Sequence, residues 1–300
     1  MRLKFYGTRG SIPTPSTPDF STVNYGGNTT CMRITDDKWN KDIIIDAGSG
    51  MRMLGLDYFK EQNFNVHAAI LLTHYHHDHI QGIPFFPQMY MASCDFEFYG
   101  PAMDGINDNT FTQVQEFLRH EQLPPFFPVH HDRMPSDKDY FDVVPGNQFK
   151  IDPEIERRFG PSIEQIVIKT FPLNHPNGGM GYRIEYGGKS ICIATDSEHF
   201  SGPNQTFAKM CKDTDLIVCD GQYTDAEYND VMVPKQGWGH GTFNACIDEM
   251  IACNAKKMVI THHDPSHDDE MLDEINNLLE NHSNEALDIC LSKEGMEIEV

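Results

Sequence analysis

Residues 68–79, AAILLTHYHHDH, carry the most informative pattern in the chain. The first five residues are apolar and of strand length, and four ligand-type side chains follow within six positions. His74 and His76 are two positions apart, so in an extended segment both imidazoles point to the same side. Asp78 and His79 follow where we expect a helix to begin. Imidazole and carboxylate groups at this spacing suit two adjacent zinc, manganese or iron ions.

Outward from this motif, short apolar or β-branched runs of strand length alternate with Gly-rich turns and helix-like patches. The early turns suit antiparallel hairpins, whereas the later strands alternate with helices. The pattern predicts an α+β fold in which mixed sheets are covered by helices. The predicted strands are 3–6, 31–34, 42–45, 68–72, 166–170, 182–186, 190–194, 216–219, 257–260 and 289–291. The predicted helices are 109–119, 241–254 and 269–281.

No linker or repeat divides the sequence, so residues 1–300 are predicted to form one domain. The stretch 84–160 differs from the rest because it is rich in Pro, Phe, Met and His. It is predicted to be an inserted lid or pocket wall, and an irregular packed loop is the alternative. Phe126 and Phe127 in this stretch are predicted to line a substrate pocket and to stack on a base.

The charge balance restricts the class of substrate. The chain has 23 Lys and Arg against 45 Asp and Glu, a formal net charge of -22. There is no Lys- or Arg-rich run, whereas proteins that grip long nucleic acids usually show basic patches. Long nucleic acid is therefore an unexpected partner, while a small phosphorylated substrate held by metals is compatible. The alternative is that the acidity serves only solubility.

The cysteines and the first residues bear on location. No two cysteines form a C-x-x-C pair, and several lie in apolar stretches, which is typical of free thiols in a reducing cytoplasm. The opening sequence MRLKFYGTRG lacks the apolar core of a signal peptide, and no apolar run is long enough to span a bilayer. We expect a cytoplasmic protein with no membrane partner. The eight cysteines are Cys31, Cys94, Cys192, Cys211, Cys219, Cys246, Cys253 and Cys290.

The H-x-H-x-D-H motif resembles the signature of the metallo-β-lactamase superfamily, and the resemblance runs over nearly the whole chain. The segments FYGTRGS (5–11) and YGGNT (25–29) look like the first strands of its ribonuclease Z-like branch. IDAGSG (45–50) looks like the loop whose aspartate supports the site. The resemblance implies a four-layer αββα sandwich with two divalent metal ions at one edge of the sheets. Zinc is the expected metal, and manganese and iron are the alternatives.

Further ligands follow from the resemblance, position by position. His175 in LNHP matches the third-motif histidine, and Asp196 in IATD matches the aspartate that bridges the metals. His262 in VITHHD matches the last ligand, although His263 stays open as an alternative. Asp46 is the candidate partner that orients a ligand. The implied metal ligands are His74, His76, His175 and Asp196 for one ion, and Asp78, His79, Asp196 and His262 for the other.

Two ions at such a site, about 3.5–4 Å apart, would lower the pKa of a shared water and neutralise charge on phosphorus. Ribonuclease Z-like enzymes also carry an acidic residue followed by an H-x-T element. Asp220 and His240 match it here, with His240 as proton donor to the leaving oxygen. Asp78 is counted with these two as catalytic. Glu is usual at the acidic position, and Thr242 is equally suited to cap a helix.

The spacing of the ligands bears on the substrate. Relatives that cut tRNA carry a long arm between the third-motif histidine and the bridging aspartate, whereas His175 and Asp196 are only 21 positions apart. We therefore expect a small phosphodiester, and similarity to cyclic-nucleotide phosphodiesterases of the superfamily implies a cyclic nucleotide. Family members are often dimers, so a homodimer is expected.

Four alternatives stay open. One is a hydrolase of the same fold that acts on a lactone, thioester or β-lactam, and another is a tRNA 3′-processing endonuclease. A metal-binding protein without turnover is a third. A diiron oxygen-consuming enzyme is the fourth, although such members usually carry a fused flavin-binding domain, which this sequence lacks.

Overall fold

The structure is a computed structural model that describes residues 1–103, 112–153, 164–200, 202–283 and 288–300. Within these residues the chain forms fourteen strands and seven α-helices. The strands are β1 (Arg2–Gly7), β2 (Cys31–Thr35), β3 (Asp42–Ile45), β4 (His67–Leu71), β5 (Asp95–Pro101), β6 (Asp137–Val143), β7 (Gln148–Ile151), β8 (Ile166–Leu173), β9 (Gly179–Tyr186), β10 (Lys189–Ala194), β11 (Leu216–Asp220), β12 (Lys257–Thr261), β13 (Asp288–Leu291) and β14 (Glu297–Glu299). The helices are α1 (Met51–Lys60), α2 (His77–Ile80), α3 (Gln113–Glu121), α4 (Gln205–Met210), α5 (Asp225–Tyr228), α6 (Phe243–Cys253) and α7 (Asp269–His282).

The strands form two seven-stranded sheets of mixed direction. The first has the order β14-β1-β2-β3-β4-β5-β6, and the second has the order β13-β12-β11-β10-β9-β8-β7. Strands β3 to β6 are mutually parallel, as are β10 to β13, and the remaining pairs are antiparallel. Parallel neighbours align their carboxyl ends, so residues that follow these strands gather at one edge of each sheet.

Side chains on alternate faces of the strands explain the layers. In β3, Ile43 and Ile45 pack between the sheets, whereas Ile44 packs on the outer face against α1. The two central parallel regions are buried on both faces, which is why their sequences read as unbroken apolar runs. Helices α1 and α3 cover the outer face of the first sheet, and α4, α6 and α7 cover that of the second. The prediction of a four-layer αββα sandwich is confirmed.

Three strands lie in the stretch 84–160, where the sequence predicts a lid or pocket wall. Strands β5 and β6 extend the first sheet, and β7 forms an edge of the second. In β5, acidic and aromatic residues alternate over Asp95–Phe98, and the prolines of this stretch masked that strand pattern in the sequence. The helix predicted at 109–119 is found as α3, and its first three predicted residues lie outside the described residues. The lid itself stays a prediction.

The cysteines are unpaired, as the sequence predicts. All eight are free thiols; seven are buried, and Cys290 is half-buried. Among the described helices, none combines the length and the apolar character that crossing a bilayer requires.

Helix α7 offers a test of the local structure. The Asp268 side chain accepts a hydrogen bond from the backbone N–H of Met271 at 3.0 Å and so caps the helix. Asp268→Ala should lower the free energy of unfolding by about 1 kcal/mol, because the N–H loses its acceptor. Glu274→Ala, at an exposed position of the same helix, should change it by less than about 0.5 kcal/mol. Denaturant unfolding followed by circular dichroism compares the two; equal losses would contradict the capping role.

Candidate metal centre

The predicted ligands follow the carboxyl ends of strands. Asp46 follows β3, Asp196 follows β10 within two residues, and His262 follows β12 directly. These three residues have φ values of 55°, 58° and 66°, in the left-handed region that costs most residues about 1 kcal/mol or more. Such strain concentrates at functional sites, and here it turns each side chain out of its strand towards a common point.

The first group of ligand-type atoms belongs to His74, His76 and His175, and these atoms lie within 4.8 Å of one another. His175 Nε2 lies 3.0 Å from His76 Nδ1. His74 and His76 sit in the loop between β4 and α2, and His175 comes from the loop after β8. The two sheets therefore contribute to the same group.

The second group consists of Asp78, His79, Asp196 and His262, all buried, with ligand-type atoms again within 4.8 Å of one another. His79 Nε2 lies 3.4 Å from His262 Nε2 and 3.3 Å from Asp196 Oδ2. Asp78 and His79 lie in α2, whose short length places their side chains against the end of β12.

Asp196 connects the two groups. Its Oδ2 lies 3.1 Å from His262 Nε2, 3.7 Å from His74 Nε2 and 4.0 Å from His175 Nε2. Its Oδ1 and His74 Nε2 are buried and have no hydrogen-bond partner among the described residues. Buried polar atoms are nearly always satisfied, so these orphaned atoms, in a set of imidazoles and carboxylates, fit cations bound between them.

Burial and charge act against each other within the cluster. Burial lowers the pKa of His74 well below its usual value, because desolvation disfavours the imidazolium ion. Burial opposes protonation of His262 too, but Asp196 and the hydrogen bond to Asp78 outweigh it and raise the pKa to about 10. Burial would raise the pKa of Asp196, yet the imidazoles of His262 and His79 hold it well below its usual range. Burial would raise the pKa of Asp78 as well, but His79 and His262 hold it well below its usual range, so the carboxylates of Asp78 and Asp196 are both held ionised, as metal ligands must be.

Asp46 contacts His79, one of the predicted ligands. Its Oδ2 lies 2.8 Å from His79 Nδ1, so the other ring nitrogen of His79 faces the cluster. Thr73 fixes Asp46 in turn, since its backbone N–H and its hydroxyl donate to the two carboxylate oxygens at 2.7 and 2.9 Å. Contacts of this kind set the tautomer of a ligating histidine.

Other orienting partners were missed from the sequence. His175 Nδ1 lies 2.9 Å from the carbonyl oxygen of Gly239, and His262 Nδ1 lies 3.2 Å from Gln222 Oε1. The backbone N–H of Ser11 donates to Asp78 Oδ2 at 2.8 Å. These partners are distant in sequence and two of them act through the backbone, so residue type carries no signal for them.

The structure distinguishes His262 from His263. His262 joins the cluster, and Gly10 packs so closely on its ring that a Cβ at Gly10 would lie 2.3 Å from Nδ1. His263 instead points away, with Nε2 donating to the carbonyl of Ser292 at 2.9 Å. Burial lowers the pKa of His263 to about 3, so its ring is neutral and structural.

Asp220 and His240 form a pair beside the cluster. His240 Nδ1 lies 2.8 Å from Asp220 Oδ2, and the shorter Asp reaches the ring without the Glu that is usual in relatives. The His240 ring stacks on that of His262 with centroids 4.8 Å apart. Thr242 is the N-cap of α6, since its side chain accepts from the N–H of Ala245.

A cavity of about 1040 Å³ opens beside His74 and His76. Its wall is mainly apolar and aromatic, and no Lys or Arg of the described residues lines it. Phe126 is part of this wall, as predicted, whereas Phe127 is not and packs edge-on against Phe85, with ring centroids 5.8 Å apart. Further lining residues are Tyr75, Ile80, Met103, Phe117, Glu121 and Asn177.

Comparison with known proteins agrees with this fold. A family model described as "Beta-lactamase superfamily domain" matches residues 41–263, which is more than half of the chain. The chain therefore belongs to the metallo-β-lactamase superfamily. It is a metal-dependent hydrolase of that fold.

Two curated relatives are named ribonuclease Z. The one from Agathobacter rectalis is 24% identical over 264 residues, covering 76% of this chain and 80% of the relative. The one from Nostoc punctiforme is 23% identical over 302 residues, covering 88% and 85%.

Solved structures show the same fold over the full length of this chain. A diphosphatase from the PhnP family has a TM-score of 0.67 at 16% identity and is covered over 97% of its length. The short form of human tRNase Z has a TM-score of 0.65 at 18% identity, with 99% covered. Zinc-bound PqqB from Methylobacterium extorquens has a TM-score of 0.66 at 12% identity, with 100% covered.

Adjacent histidines provide a matched test of the ligand set. His262→Ala should lower the metal content from about two ions per chain to about one, because it removes a ligand from the second group. His263→Gln should keep about two ions while lowering the unfolding midpoint, since its amide only partly replaces the contact with Ser292. Elemental analysis of the purified variants, with thermal unfolding beside it, measures both. Equal metal content in the two variants would exclude His262 as a ligand.

Proposed function

We propose that this protein is a phosphodiesterase that binds two zinc ions and hydrolyses a small phosphodiester, with a cyclic nucleotide as the first candidate. The observation that carries the proposal is the Asp220–His240 pair, 2.8 Å between Oδ2 and Nδ1, directly beside the cluster of ligand-type atoms. A hydrolase that attacks a carbonyl can use the metals alone, whereas an alkoxide leaving from phosphorus benefits from a positioned proton donor.

The proposed ligands are His74, His76, His175 and Asp196 for one ion and Asp78, His79, Asp196 and His262 for the other. When bound, the ions would supply an activated water and neutralise charge that builds on the phosphoryl oxygens. Imidazole-rich sites with carboxylates suit zinc, and the similar PqqB structure is described as zinc-bound. Manganese and iron remain alternatives to be tested by elemental analysis.

His240 can act as the proton donor because of how its ring is held. Asp220 engages Nδ1, which leaves Nε2 as the ring nitrogen available to protonate the leaving oxygen. Asp220 is fixed in turn by the backbone N–H of Ser197, which donates to Oδ2 at 3.1 Å. This arrangement keeps a proton on Nδ1 and lets Nε2 carry the second proton to the leaving oxygen.

The cavity supports a small substrate. A volume of about 1040 Å³ is in the range of pockets for nucleotide-sized ligands, and Phe117, Phe126 and Tyr75 offer aromatic faces for a base. Between His175 and Asp196 the chain forms only the β9–β10 hairpin, without the tRNA-binding arm of its relatives. The net charge of -22 also disfavours a long polyanion.

A second candidate is tRNA 3′ processing, because both curated relatives are named ribonuclease Z and together match most of the chain. In that case the acidic surface would require another way of holding the RNA, such as a second subunit.

A homodimer and a cytoplasmic location stay predictions.

Removing the His240 side chain tests the proton donor. His240→Ala should slow hydrolysis of diphenyl phosphate by about 10²–10⁴-fold, because its phenolate leaves poorly without a proton. Bis(p-nitrophenyl) phosphate is the internal control, since its more acidic leaving group should reduce the loss to less than about tenfold. Steady-state kinetics at full metal loading measure both. Equal losses on the two esters would remove the general-acid role.

A substrate panel tests the class of reaction. We expect the zinc-loaded protein to hydrolyse a 3′,5′- or 2′,3′-cyclic nucleotide with a higher kcat/KM than a precursor tRNA with a 3′ trailer. Thioesters and lactones should be poor substrates. Preferred cleavage of the tRNA would favour the second candidate, and turnover of the thioester or lactone alone would refute phosphodiester hydrolysis.

A further inference from the structure

Glu198 is a buried carboxylate close to the metal centre that the proposed chemistry does not use. It is 3% exposed and lies two residues after Asp196. Its Oε1 accepts from the Tyr228 hydroxyl at 2.5 Å and from the N–H of Gly237 at 2.7 Å. Its Oε2 accepts from the N–H of Gly237 at 3.0 Å and from that of Gly239 at 2.9 Å. One side chain therefore accepts four hydrogen bonds.

The loop that these bonds hold is otherwise joined to its surroundings at Lys235, whose N–H donates to the carbonyl of Tyr228 at 3.1 Å and whose Nζ lies over the Tyr223 ring. Residues 229–234 and 236–238 are exposed. Gly239 is buried, and it packs so closely on His175 that a Cβ there would lie 2.2 Å from the ring Nδ1. The carbonyl of Gly239 is the acceptor for His175 Nδ1, and His240 follows directly. Any shift of this turn would therefore move a ligand's partner and the proton donor together.

The backbone of Glu198 also bonds to the loop that carries His175. Its N–H donates to the carbonyl of Asn174 at 2.9 Å, and its carbonyl accepts from Asn174 Nδ2 at 2.9 Å. Asn174 precedes His175. The neighbouring N–H of Ser197 donates to Asp220. Three consecutive residues thus provide a ligand-type carboxylate, fix the partner of His240 and join two loops of the site.

We infer that Glu198 is a positioning residue that sets His240 and His175 through the Gly237–Gly239 turn. The inference rests on the proposed function, in which His240 is the proton donor. The N–H groups of Gly237 and Gly239 can only donate, so both require an acceptor oxygen, whereas the Tyr228 hydroxyl can donate or accept. An amide at this position would set its NH₂ against the Gly237 N–H in either orientation, so the turn would have to shift to relieve the contact.

The test compares Glu198→Gln and Tyr228→Phe with Gln236→Ala. Tyr228→Phe removes one donor and keeps the backbone contacts, so it serves if the first variant fails to fold. Gln236→Ala is the matched control, because this exposed side chain of the same loop bonds only Asn229 among the described residues. Each is assayed on diphenyl phosphate and bis(p-nitrophenyl) phosphate beside His240→Ala, and zinc affinity is measured by chelator competition.

Glu198→Gln should slow the hydrolysis of diphenyl phosphate by about 10²-fold and that of bis(p-nitrophenyl) phosphate by less than about tenfold. The loss should lie in kcat more than in KM. The same variant should also weaken one of the two zinc sites by about 10-fold, as loss of an orienting contact does. Tyr228→Phe should change both quantities in the same direction by less. Gln236→Ala should match the wild-type protein.

Two outcomes would overturn the inference. The first is a Glu198→Gln protein that behaves like Gln236→Ala, while His240→Ala slows the hydrolysis of diphenyl phosphate much more than that of bis(p-nitrophenyl) phosphate. The second is a loss on both esters alike with unchanged zinc affinity, which a general loss of stability would produce. If His240→Ala itself shows no selectivity, the proton-donor proposal fails, and unchanged zinc affinity in Glu198→Gln then overturns the positioning role on its own.

Discussion

The carboxylate of Asp196, buried among imidazoles, is the constraint on which the site depends. Its Oδ2 lies within 4.0 Å of the ring nitrogens of His74, His79, His175 and His262. Without a cation, so many buried polar groups would be poorly satisfied and costly to desolvate. Cations bound between these groups, as proposed, would offset this cost and that of the left-handed backbone of Asp196 and His262.

The fold brings these groups together by a simple rule. Each sheet contains a run of parallel strands, and the carboxyl ends of the two runs meet at one edge of the sandwich. Ligand-type residues occupy the positions just after β4, β8, β10 and β12, where side chains are free of the apolar core. The apolar strands fix the loop origins, and hydrogen bonds from the imidazole rings to oxygen atoms of Asp46, Gln222 and Gly239 then fix the rings.

Some features of the site could be predicted from local sequence patterns, whereas others depend on contacts between residues that are far apart in the sequence. The H-x-H-x-D-H motif and the apolar β3 and β4 could be predicted, since their signals lie within a dozen residues. His175, Asp196 and His262 needed the resemblance to a family, because nothing local relates them. The contact between Glu198 and the Gly237–Gly239 turn could not be predicted, since it joins backbone groups about 40 residues away in a loop of unremarkable composition. Strands β5 and β6 were not predicted, because they lie in a stretch that is rich in proline.

The proposed catalytic groups and most of the cavity wall come from different parts of the molecule. The reacting groups lie at strand ends, where the two sheets hold them rigidly, and this part matches relatives of several named activities. The cavity wall comes partly from residues 74–80, which include the ligand-type His74 and His76, and otherwise from the end of β5, the segment between β5 and β6 and the loops around residues 145 and 177. Loops can change without disturbing the sheets, so the ligand set predicts metal-dependent hydrolysis while the wall determines which ester reaches it. The acidic surface and the aromatic wall favour a small substrate at the proposed metal centre.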